Sequence, residues 1–112
     1  MRGYLLYRIL AVNEWQMRFL FRVIFEAEAG NRAVKDPNFI KNIQGFIENN
    51  KVEAAYFTAV NGNRNAIFIL DMPSTDMMPA IAEPFFQMGA SVEFFPTMNL
   101  EDLKKGLSAA IK

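Results

Sequence analysis

The sequence predicts an α+β domain built on an antiparallel four-stranded sheet. Three observations point to it. RFLFRVIFE (18–26) alternates with large apolar residues on both faces, as a strand covered on two sides does. Asn61-Gly62 stands between two apolar runs, the strongest short-range hairpin signal, because both residues tolerate positive φ. Apolar residues then recur at helical spacing after the first strand, after the hairpin and at the end of the chain.

Residues 1–16 fit this pattern poorly. Their apolar run, Tyr4 to Val12, is broken by Arg8 and is too short to span a bilayer. No small-residue cleavage site follows it. The stretch reads as an N-terminal extension, non-native or created by a mis-assigned start, with Met17 as the natural start. Residues 17–112 read as one domain. Removing Arg2, Arg8 and Glu14 from 12 basic and 12 acidic groups leaves ten and eleven, so this domain is slightly acidic.

Along the domain, Gly30-Asn31 is expected to end the first strand, with a short extra turn over 31–35. Asp36-Pro37 should open a helix, since Asp caps and Pro suits a first turn. Phe39/Ile40, Ile43 and Phe46/Ile47 form its apolar stripe, up to Asn49-Asn50. Strands follow over 53–60 and 66–70, joined by residues 61–65. Ser74 or Asp76 can cap a second helix running to about Met88, with Pro84 expected to kink or split it and Gly89 to stop it. Residues 90–95 make the fourth strand. Asn99 to Asp102 reads as a helix cap with an acidic first turn, followed by a stripe of Leu100, Leu103, Leu107 and Ile111.

The order β-α-β-β-α-β, with a C-terminal helix, is the ferredoxin-like arrangement. It would set the strands side by side as fourth, first, third and second, with helices on one face. The first and third strands are apolar on both faces, so the other face cannot be left to water. Sheet-to-sheet packing of two copies, a homodimer, is the economical cover.

The segments GNRAVKD (30–36), VEAAYFT (52–58), IAEPFF (81–86), VEFFP (92–96) and NLEDLKK (99–105) resemble a family of small bacterial proteins of uncharacterised role. More widely, residues 17–112 resemble the dimeric α+β barrel superfamily, which includes muconolactone isomerases, antibiotic-biosynthesis monooxygenases and GYD-type domains. The resemblance implies two ferredoxin-like chains forming a barrel with a small-ligand pocket. Its haem-binding branches hold haem through His, and this chain has no His.

Five polar residues are candidate ligand-binding groups. Arg22 sits mid-strand, and Glu93 lies on its expected neighbour, so the two can pair across the sheet. Arg22 can anchor a ligand carboxylate, or the pair can simply fix strand register. Tyr56 offers a hydroxyl donor or an interface aromatic. Asp71 ends a strand as a base at a pocket mouth or as a turn acceptor. Glu83 precedes Pro84, beside core Phe residues. Outside these five, Arg64 in the hairpin can reach over a ligand or a partner chain, or simply be exposed.

Composition excludes much else. An apolar share of 52% with 21% charged residues is that of a globular domain. Zero net charge supplies no nucleic-acid footprint. Without Cys or His there is no thiolate, zinc or Ser-His-Asp chemistry, and the Asp residues lack calcium-loop spacing, so no metal and no cofactor is expected. No Cys and no export signal fit a cytoplasmic setting. The expected function is binding of a small apolar, aromatic or carbonyl-bearing metabolite, in the manner of a cofactor-free isomerase or monooxygenase. The alternative is a non-catalytic dimeric sensor or scaffold whose barrel is filled by its own side chains.

Overall fold

Strand β1 (Arg18–Phe25) lies inside the sheet, hydrogen-bonded antiparallel to β3 (Asn63–Asp71) on one side and to β4 (Ser91–Pro96) on the other. β2 (Ala54–Val60) pairs with the outer side of β3, giving the order β2-β3-β1-β4. The structure is a computed structural model and describes residues 17–111. The expected extension, residues 1–16, lies outside the described residues.

Alternation along β1 decides which face becomes the core. Phe19, Phe21, Val23 and Phe25 are buried, while Arg18, Leu20, Arg22 and Ile24 on the opposite face are half-buried. Register carries this division across the sheet. Phe21 lies opposite Phe68 of β3 and Phe94 of β4. Its ring, fully buried, stacks on Phe94 at 4.7 Å and on Phe68 at 6.1 Å. Phe46 and Phe85 meet it from the helices at 5.9 and 5.6 Å. Such offset and edge-on pairs add to the gain from area burial alone.

Four helices accompany the sheet: α1 (Ala27–Lys35), α2 (Phe39–Asn49), α3 (Met78–Phe86) and α4 (Leu100–Ala110). The first corrects the sequence reading. Gly30-Asn31 does not end a segment; both lie inside α1. Gly30 leaves room for a close approach: a Cβ on it would stand 2.8 Å from Arg64 Nη1, the movable end of that side chain, and 3.3 Å from Phe25 Cβ. Asp36 does not cap the next helix either. Its Oδ1 accepts from Asn38 N–H at 2.8 Å in a local turn, and α2 starts only at Phe39.

The hairpin is tighter than expected. Val60 and Asn63 pair directly, and Asn61 and Gly62, both at positive φ, make the whole turn. Asn63 to Asn65 therefore belong to β3. A short 3₁₀ turn (Thr75–Met77) leads into α3, and neither Ser74 nor Asp76 makes a capping bond. α3 runs through Pro84 without splitting, and it ends at Phe86, before Met88. Gly89 at φ +82°, with Ala90 N–H donating to Phe85 O and Gly89 N–H to Phe86 O, closes α3 in a Schellman motif. Asn99 and Asp102 form the reciprocal capping box of α4.

Arg18 ties α4 to the sheet. Its Nε donates to Glu53 at 2.8 Å and its Nη1 reaches Asp102 at 3.4 Å. The bond to Glu53, ahead of the other nearby carboxylates, pushes the guanidinium above its ordinary value and keeps it cationic. Along α4 the stripe of Leu100, Leu103, Leu107 and Ile111 stays exposed. No described helix is long and apolar enough to cross a membrane.

Because four aromatic rings meet at Phe21, Phe21→Ala should cost about 3–5 kcal/mol of stability in urea unfolding, the usual range for emptying a buried Phe site. A loss below about 1 kcal/mol would mean that this cluster does not hold the sheet to its helices.

Candidate functional site

A cavity of about 310 Å³ opens at the hairpin end of the sheet, between its buried face and helices α1 and α2. Phe25 and Ala66 come from the sheet, Ala33 and Val34 from α1, Ile40 and Ile43 from α2, and Phe57 and Thr58 from the edge strand. The space has a local cause. α1 turns its smallest residues, Ala29, Gly30 and Ala33, to the sheet, and these do not fill the gap that α2 bridges. Val34, Ile40 and Phe57 stay exposed at the mouth, Phe57 at 60%. The size lies at the lower end of small-molecule pockets.

Among the described residues, one charge reaches this cavity. Strand register sets Arg64 opposite Phe25 and Ala59, on the same face as Phe68 and Leu70. Its side chain therefore rises on the helix side, where the guanidinium lies against Gly30 and Nη1 donates to Asn31 Oδ1 at 3.1 Å. Among the described residues no carboxylate lies within ion-pairing distance of it. Sequence reasoning noticed the reach of Arg64 but did not place it at a cavity. The signal that helps is alternation: counting back from Phe68 puts Ala66 and Arg64 on the buried face.

The five residues nominated from the sequence do not line this cavity. Tyr56, Arg22 and Glu93 share one row on the open face, with Ile67 between Tyr56 and Arg22. Arg22 Nη1 stands 3.3 Å from Glu93 Oε1, the pairing the register implies. Its tighter partner is one the sequence did not suggest: Nε donates to Asn65 Oδ1 at 2.6 Å. Asn65, 3% exposed, also donates to Asn63 O at 3.1 Å. Glu93 Oε1 is buried and makes no hydrogen bond among the described residues, so only the charge of Arg22 compensates it. This polar row crosses a half-buried apolar surface of Leu20, Ile24, Ile67 and Ile69, with exposed Tyr56 and Phe95 at its margins.

Asp71 and Glu83 lie apart from these groups. Asp71 Oδ1 accepts from Met17 N–H at 2.8 Å, and the residue lines a polar cleft with Arg18, Lys51 and Glu53. Glu83 is exposed on α3 and accepts from Gln87 Nε2 at 2.6 Å, one helical turn away. The described residues hold no group of three or more Asp or Glu suited to a metal ion.

If Arg22 and Glu93 offset one another, replacing both by Leu should leave a more stable protein than replacing either alone. Urea unfolding of the three variants reads this directly. Losses that simply add would show that the two charges are not partners.

No protein-family profile matches the chain, and no curated protein matches it. Among solved structures it is similar to the uncharacterized protein TM1266 from Thermotoga maritima, at 11% identity and a TM-score of 0.47, over 74% of this chain and 99% of that one. It is also similar to a de novo designed protein, Foldit4, at 16% identity and a TM-score of 0.43, over 75% of this chain and 98% of that one.

Proposed function

We propose that this chain is a small-molecule-binding protein that holds an apolar, aromatic or carbonyl-bearing compound between its sheet and helices α1 and α2. The observation that carries this reading is the cavity of about 310 Å³ with exposed apolar side chains at its mouth. An occupant would cover Val34, Ile40 and Phe57, which water now wets at a cost in free energy. Binding is better supported than catalysis. An isomerase needs a proton acceptor at the reacting carbon, and Arg64 is the sole ionisable residue among those lining the cavity. The scaffold alternative places a side-chain-filled barrel on the opposite, open face of the sheet and offers no occupant for this cavity.

The reading includes a ferredoxin-like chain that pairs with a second copy through its open face into a dimeric α+β barrel. The strand order β2-β3-β1-β4 supports it, with two helices rather than one between β1 and β2. The half-buried Leu20, Ile24, Ile67 and Ile69 support it as well, because a contiguous apolar sheet face of this kind is usually covered.

A thermal-shift screen with small aromatic acids, phenols, quinones and lactones tests the binding reading. A true ligand at roughly a hundredfold excess over its Kd adds about 2.7 kcal/mol to the native state, a shift of roughly ten degrees or more. Val34→Trp, which narrows the mouth from an exposed position, should abolish that shift while leaving the unliganded midpoint close to that of the parent. A panel without any hit, or hits that survive Val34→Trp, would contradict binding at this cavity.

A further inference from the structure

We propose that the occupant is an anionic amphiphile: a monocarboxylic acid whose compact body, one aromatic ring or a short alkyl chain, fills the cavity while its carboxylate meets Arg64. The inference rests on the cavity being a ligand site and adds the chemical class. Three observations converge on it. The walls at Phe25, Ala33, Ile43 and Ala66 are apolar and offer nothing to a polar body. The one charge at the cavity is Arg64, and among the described residues its only side-chain partner is the neutral amide oxygen of Asn31 at 3.1 Å. A guanidinium has further N–H donors in a planar fork that matches a carboxylate.

The third observation is how Arg64 is held. Its guanidinium occupies the slot left by the missing side chain of Gly30, where an added Cβ would come within 2.8 Å of Nη1. The long side chain is thus laid back along α1, beside the cavity, with its solvent-exposed guanidinium fixed by Asn31. Holding the fork in place before binding reduces the ordering cost when an anion arrives. A carboxylate is favoured over a phosphate because a single arginine supplies one positive charge and one fork, enough for a singly charged planar anion.

Isothermal titration of phenylacetate, 4-phenylbutyrate and octanoate, each beside its primary amide, tests the class. Acid and amide share a body, so their difference reads the contact with Arg64. At least one acid should bind about tenfold or more tighter than its amide, as one charge-assisted hydrogen bond provides. Arg64→Gln should erase that preference and leave amide binding unchanged, whereas Arg64→Lys should keep part of it. Gly30→Ala keeps the charge but displaces the fork, and should narrow the ratio of acid to amide affinity. Amide amide-proton shifts at Ala33 and Ala66 place the bound molecule. Equal binding of acid and amide, or a preference that survives Arg64→Gln, would overturn the carboxylate inference while the cavity reading stands. Binding of neither across all three pairs would overturn the inference, and a failed neutral panel alongside it would remove the cavity reading too.

Discussion

The structure depends on a strand with two apolar faces placed where both can be covered. β1 is hydrogen-bonded on each edge, so its only exposed surfaces are its faces. One presents Phe19, Phe21, Val23 and Phe25, and the chain covers it with α1, α2 and α3. The other presents Leu20, Arg22 and Ile24, over which no described helix packs, and those residues stay half-buried. A charge in the middle of such a face has to be compensated, and the register supplies Glu93 on one side while Asn65 reaches Arg22 from β3. The polar row then acts as a register mark: a one-residue slip would turn Arg22 into the aromatic core and Phe21 outward.

The same alternation shapes the cavity. It turns Ala66 and Arg64 to the helix side at the end of β3, where the Phe cluster has ended. Above them α1 contributes Gly30 and Ala33 rather than bulky residues. The result is a gap with apolar walls and, among the described residues, one cation at its rim, the basis of the proposed preference for an apolar body with a negative head. The nominated Arg22, Tyr56 and Glu93 share a row on the open face instead, which a second copy would bury in the proposed dimer.

Local signals in the sequence were legible where the backbone itself demands a residue type. Asn61-Gly62, Gly89 and the Asn99–Asp102 box each answer to a positive φ or an unpaired helix end, and each is where the sequence places it. The pairing of Arg22 with Glu93 was legible because alternation and strand adjacency leave few alternatives. Gly30 was misread because a glycine before Asn looks like a break, whereas it sits inside a helix and its neighbour Arg64 lies 34 positions away. Asp36 before Pro37 resembles a cap, but the chain spends it on a turn between two helices. The cavity was not legible. Its lining comes from five separate segments, and its volume is what their side chains fail to fill.

The claim most exposed to test is that the open face is covered by a second copy. Sedimentation equilibrium of the full chain at low micromolar concentration measures it, with Ile67→Lys as the partner variant, since Ile67 lies at the centre of that face. The expected result is twice the 12.8 kDa chain mass for the parent and a single-chain mass for Ile67→Lys, with its far-ultraviolet circular dichroism unchanged. A single-chain mass for the parent would contradict the account, and so would a dimer that Ile67→Lys leaves intact.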